Sequence, residues 1–218
     1  MDELRRVYHD RIATLRTRTI DIVRDAAASV GHVTVALLDG DRAAGELIVL
    51  DARGAAARVA EVETVVLDIL AQQAPVARDL RVVLASLRIA QVAELCLGLS
   101  RTLAARVGQG NGALTAPLRT LTYQIGSGTA GLLEEANGAW IVLDDAQALD
   151  VVTGSEACRE LQRRFLAELL GMSDVPVDAA VDLGMAARVY ERLTDHAVEI
   201  AGRVVFAVTG ASIPVRLA

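Results

Sequence analysis

Gly108-Gln109-Gly110-Asn111-Gly112-Ala113-Leu114-Thr115-Ala116-Pro117 is the one long glycine-rich stretch of the chain, and it falls at the midpoint of 218 residues. Three glycines in five positions, closed by a proline, interrupt a helix, because glycine costs up to ~1 kcal/mol and proline ~3 kcal/mol relative to alanine in a helix interior. On both sides of this break apolar residues recur at three- and four-residue intervals, and nowhere do they alternate cleanly with period two. The chain therefore reads as all-α. Upstream of the break the pattern predicts helices over 2–38, 42–72 and 75–107. The turn Asp39-Gly40-Asp41 stops the first, and Pro75 opens the third as a first-turn proline. Downstream it predicts helices over 117–143, 146–170 and 177–209, with a turn over 171–176 and a loose tail over 211–218. Gly126, Gly128, Gly131 and Gly138 each weaken the fourth helix.

Both halves then have the same order: long helix, long helix, turn with proline, long helix. Duplication of a three-helix unit predicts two tandem three-helix bundles, at 1–107 and 117–210, with 108–116 as linker. The helical phase predicts a core that includes Leu80, Leu84, Leu87, Val92, Leu161, Phe165, Leu169, Val189, Leu193, Ile200 and Val204.

A hydrophobic fraction of 53% and a mean hydropathy of +0.38 require a test for membrane spans. The longest uncharged runs, 26–38 and 120–133, are shorter than the roughly 18–20 apolar residues that cross a bilayer. The start, Met1-Asp2-Glu3-Leu4-Arg5-Arg6, is charged and lacks an apolar signal segment, which makes the cytoplasm the expected location. Much of the apolar content is alanine and valine, side chains small enough to let long helices pack closely. All 22 basic residues are arginine, yet the net charge is −6, which argues against nucleic acid as the main partner.

Cys96 and Cys158 stand far apart with no second cysteine or histidine at metal spacing, so both are expected to be buried thiols. His9 and His32 likewise lack acidic or cysteine companions, and the single tryptophan, Trp140, is expected in the core or at a bundle contact. The chain has no lysine for a phosphate-binding loop, no Gly-x-Ser-x-Gly elbow and no His-Glu-x-x-His helix. No glutamate has a histidine three residues later, as a di-iron bundle needs. An enzyme is therefore not expected.

Two segments carry a resemblance. Gln73-Ala74-Pro75-Val76-Ala77-Arg78-Asp79-Leu80-Arg81 enters the third helix, and Tyr190-Glu191-Arg192-Leu193-Thr194-Asp195-His196-Ala197-Val198-Glu199-Ile200 lies in the sixth, followed by Val208-Thr209-Gly210. Together with the helix order, they resemble the PhoU family. The resemblance implies two three-helix bundles side by side and a negative regulator of the phosphate-starvation response. Such a protein links the ATPase subunit of a phosphate-specific ABC transporter to a membrane sensor histidine kinase. It also implies a dimer that meets the membrane only through these partners.

Several members of the family bind metal through paired E/D-x-x-x-D motifs, one pair per bundle. Carried onto this sequence, the resemblance implies a site from Glu156 and Glu160 on the fifth helix with Glu191 and Asp195 on the sixth. Residues four apart share a helical face, and four hard oxygen donors suit iron, manganese, magnesium or calcium. In the first half Asp51 and Glu94 are followed four residues later by Ala55 and Gly98, so a single site, in the second half, is expected. A bundle whose metal is the functional centre is the alternative to an adaptor.

The same residues support a plainer reading. Glu191, Asp195 and Glu199 lie nearly opposite the aliphatic face of Val189, Leu193, Ile200 and Val204, which would leave them solvated. Arginines at helical spacing would pair with acids, Arg164 with Glu160, Arg192 with Asp195 and Arg203 with Glu199. His196 projects about 100° from Asp195, which favours packing or a hydrogen bond over ligation. Asp79 and Arg81 could serve a partner surface, although an acid in a first helical turn is explained equally by the helix dipole.

Overall fold

The structure, a computed structural model, describes residues 2–108, 114–173 and 175–212. Residues 109–113 of the expected linker, residue 174 of the expected turn and residues 213–218 of the expected tail lie outside the described residues. The described residues contain no strand. Among the described residues seven α-helices follow one another: α1 (Asp2–Asp39), α2 (Arg42–Asp51), α3 (Ala55–Gln73), α4 (Ala77–Ala104), α5 (Ala116–Val142), α6 (Asp145–Leu170) and α7 (Val177–Thr209).

α1 shows why the periodicity was legible. Leu15, Thr19, Ile22, Ala26, Val30 and Val33 are buried at three- and four-residue steps along it. It ends at Gly40, whose φ of 66° favours glycine because it lacks a Cβ. Asp41 then caps α2, its carboxylate accepting from the Ala44 N–H. The second half repeats this device. Leu143 takes the left-handed conformation (φ 54°) and Asp144 caps α6 by accepting from the Ala146 and Gln147 N–H groups.

α1 packs against α3 and α4, and α5 against α6 and α7, giving two three-helix bundles. They lie side by side, with α1 on α5 and α4 on α7. Two arginines make the relation between the halves visible. Arg16 of α1 donates to the Trp140 and Ile141 carbonyls at the end of α5, and Arg119 of α5 donates to the Leu38 carbonyl at the end of α1. The same sequence separation relates Arg16 to Arg119, Ile141 to Leu38 and Asp144 to Asp41, so each half satisfies the last-turn carbonyls of the other. Trp140 is fully buried, with the Arg16 guanidinium 5.5 Å over its ring. Buried residues of all seven helices form one continuous apolar cluster, so burial between the halves adds to burial within them.

Four details depart from the sequence reading. The helix expected over 42–72 is broken by a 3₁₀ turn at Ala52–Gly54, where Gly54 lowers helix propensity. Beside this break, α2 and the end of α4 border an open cleft of about 490 Å³. Pro75 does not open α4. Ala74 turns the chain in the left-handed conformation, Val76 caps the helix in an extended conformation, and α4 starts at Ala77. Leu84 is exposed, and Leu80, Leu87 and Leu161 are half-buried, whereas the other seven expected core residues are buried. Finally, α4 is long and apolar enough by length and composition to cross a bilayer, with 61% of that window buried inside the bundle. Its apolarity follows from packing on several sides, against α1, α3 and α7.

Candidate functional site

α7 holds the residues on which the functional reading turns, and beyond its middle it is buried all round. From Leu193 to Gly202 every residue is buried, because α4, α5 and α6 all pack on this helix. The acidic stripe is therefore not a solvated face. Glu191 is half-buried, and the side chains of Asp195 and Glu199 are only 5% and 12% exposed.

A buried carboxylate needs a partner, and each acid here has an arginine. Arg159 reaches across from α6 to donate to Asp195 at 2.7 Å. Arg163 donates to both Glu156 and Glu160, each at 2.9 Å. Arg188 donates to Glu191 at 2.5 Å. The hydrogen bonds from Arg163 hold the Glu156 carboxyl below its usual range, and the two glutamates raise Arg163 in turn. Glu191 likewise raises Arg188.

Glu199 lies 3.6 Å from His196 Nδ1, 3.4 Å from Arg203 and 3.7 Å from Arg88 of α4. His196, then Arg203, hold its carboxyl below the ordinary range against the opposing effect of burial. The expected pairing of Glu199 with Arg203 is present. Those of Glu160 with Arg164 and Asp195 with Arg192 are not, Arg163 and Arg159 standing in their places.

As they stand, the four expected ligands do not fit a cation. Glu156 and Glu160 are exposed around Arg163, Asp195 is buried on Arg159, and three guanidinium groups lie among the carboxylates. Among the described residues no three His, Cys, Asp or Glu side chains come together as a metal site. A cation would have to displace arginines that already neutralise these acids. In the first half Asp51 closes α2 in solvent and Ala55 is buried.

A polar network also runs through α7, which sequence reasoning missed. Thr34 of α1 is 2.8 Å from the Tyr190 hydroxyl, and Thr194 is bonded to Thr129 of α5 and accepts from Gln162 of α6. Isolated polar residues at helical spacing gave no sign that they meet. Burial raises the Tyr190 hydroxyl, and the two cysteines are buried and free, Cys96 pushed up to about 12. Asp79 accepts from the Tyr8 hydroxyl at 2.9 Å, and Arg81 donates to the Ala207 and Val208 carbonyls near the end of α7. Both are thus engaged in holding the first half together and to the second. His9 and His32 are exposed, the His9 ring lying against Tyr8.

The fold can be set beside solved structures. Over 94% of its length the chain superposes on the crystal structure of PhoU from Pseudomonas aeruginosa with a TM-score of 0.87 at 22% identity, covering 100% of that chain. It superposes on the phosphate transport system regulatory protein PhoU from Streptococcus pneumoniae with a TM-score of 0.83 at 16% identity, covering 99% of that chain. In sequence it is 31% identical, over 95% of both chains, to phosphate-specific transport system accessory protein PhoU homolog 1 of Mycobacterium leprae.

This chain belongs to the PhoU family.

It is also 30% identical to PhoU homolog 2 of Mycobacterium tuberculosis, over 95% of this chain and 99% of that one. No profile of a known protein family matches. As a PhoU protein the chain has an accessory, regulatory role in phosphate transport.

Proposed function

We propose that this PhoU protein is a negative regulator of the phosphate-starvation response, coupling a phosphate-specific ABC transporter to a sensor histidine kinase. The observation that carries the reading is full-length similarity to accessory proteins of phosphate-specific transport. The architecture of the chain accords with it: long helices packed side by side, the form of a protein that presents surfaces to partners. In this reading the protein works in the cytoplasm, as a dimer. It engages the transporter's ATPase subunit and the kinase's cytoplasmic region, favours the kinase's inactive state when phosphate is plentiful, and reaches the membrane only through these partners. It is not an enzyme.

A clean deletion should derepress phosphate-scavenging genes in phosphate-rich medium, in a strain without a second copy of the family. Unchanged reporter expression there would refute the regulatory reading. The rival reading, a bundle whose functional centre is iron or another hard metal at Glu156, Glu160, Glu191 and Asp195, requires those acids to leave Arg159, Arg163 and Arg188.

A further inference from the structure

The seam between α4 and α7 on the outer surface differs in character from a chain of net charge −6. The two helices run antiparallel, with Arg81 at the Ala207 carbonyl near one end and Arg106 at Asp182 near the other. Each offers one exposed stripe at steps of three and four. On α4 it holds Leu84, Arg88 and Leu95, with half-buried Gln91 between them, and on α7 it holds Val181, Met185, Arg188 and Arg192, with half-buried Arg203 further along the same face. The apolar members are 42% to 57% exposed. The side chains of Arg88, Arg188 and Arg203 are 56%, 49% and 37% exposed, against 29% for Glu191, 12% for Glu199 and 5% for Asp195. In these pairs the acids lie beneath the surface and the arginines above it, whereas at the far end Asp182, 42% exposed, stands above Arg106, 25% exposed. Solvent meets a face of leucine, valine, methionine and guanidinium with Asp182 at one end, and on α4 it runs from Leu84 to the exposed Thr102, about 27 Å at 1.5 Å per residue. α3 flanks it on the α4 side and α6 on the α7 side.

We propose that the α4–α7 seam is a docking surface for an acidic amphipathic helix of another protein, laid along the seam between the two halves. Charge complementarity selects the occupant. Apolar side chains at helical spacing give the contact area, and arginines standing above their buried partner acids select acids over bases. A third helix on two antiparallel ones also repeats the packing used within each half. The surface specifies where the adaptor proposed above would meet a partner and so rests on that reading. The two fail separately, since the reporter experiment tests regulation and the binding experiment tests the seam.

The test uses the full chain and two labelled synthetic peptides of about five helical turns, with leucine on one face and either glutamate or lysine on the other. Anisotropy at low ionic strength should show the glutamate peptide binding and the lysine peptide not. Arg88→Glu/Arg192→Glu should weaken binding by about ten-fold or more, Leu84→Ser/Leu95→Ser should also weaken it, and Arg88→Lys/Arg192→Lys should retain it. Arg192→Glu alone, at an exposed position, serves if the double variant melts early. Absence of glutamate-peptide binding, equal binding of both peptides, or undiminished binding by the charge-reversed variants would overturn the proposal. So would a shift from dimer to monomer in those variants by light scattering, which would assign the seam to a second copy of the chain.

Discussion

Gly126 gives the sharpest test of the packing between the halves. By helix propensity alone, Gly126→Ala in the middle of α5 should stabilise the protein by ~1 kcal/mol. The structure demands the opposite sign. A Cβ at this position would overlap Oγ1 and Cγ2 of Thr34 and lie 2.8 Å from the Thr34 Cβ. Thr34 cannot swing aside freely, because it is buried, donates to the Val30 carbonyl and meets the Tyr190 hydroxyl. Overpacking costs ~1–3 kcal/mol, and disturbing the Thr34–Tyr190 contact adds ~1 kcal/mol. Net of the propensity gain, Gly126→Ala should destabilise by about 2 kcal/mol, lowering Tm by roughly 4–8 °C for a chain of this size. Gly131 is the internal control, on the same helix with nothing within 4 Å of the Cβ that alanine would add, and Gly131→Ala should be neutral or stabilising. Thermal and urea unfolding followed by circular dichroism measure both. Thr34→Ala combined with Gly126→Ala should recover about 1 kcal/mol relative to additivity, because it removes the two overlapping atoms. A Gly126→Ala protein as stable as its parent would refute the close crossing of α1 and α5.

Two further outcomes follow from the charges of α7. Because the Glu199 carboxyl is held below its ordinary value near 4.5, its stabilising contribution is present above that value and is lost as pH falls through the lowered one. Glu199→Gln should therefore lag the parent above the ordinary carboxylate range, and urea titrations should show the gap closing as pH falls through and below that range; a pH-independent gap would refute the assignment. Elemental analysis of protein purified without added metal should find less than one metal ion per chain, given the arginines on all four acids. One tightly bound ion lost in Glu191→Ala/Asp195→Ala, yet kept in Asp51→Ala/Glu94→Ala, would restore the four-carboxylate site.

The sequence by itself determined the helices, because burial on one side imposes a three- and four-residue period on any helix, whatever it packs against. It also determined the repeat, since the same order of long helices stands on each side of the glycine-rich break. It placed the end of α7 at Thr209, where Gly210 supplies a left-handed conformation (φ 82°). Only the tertiary structure decided which faces of α4 and α7 meet water. Periodicity separates one face from its opposite, but α7 is enclosed by three helices, so Asp195 and Glu199 are buried despite lying opposite the aliphatic face. It alone decided the partner that reaches Asp195, whereas the pairing of Glu199 with Arg203 was legible from spacing. The spacing on one helix suggested Arg192 for Asp195, while the guanidinium that arrives, Arg159, comes from α6, a neighbour fixed by how the helices pack and not by distance along the chain.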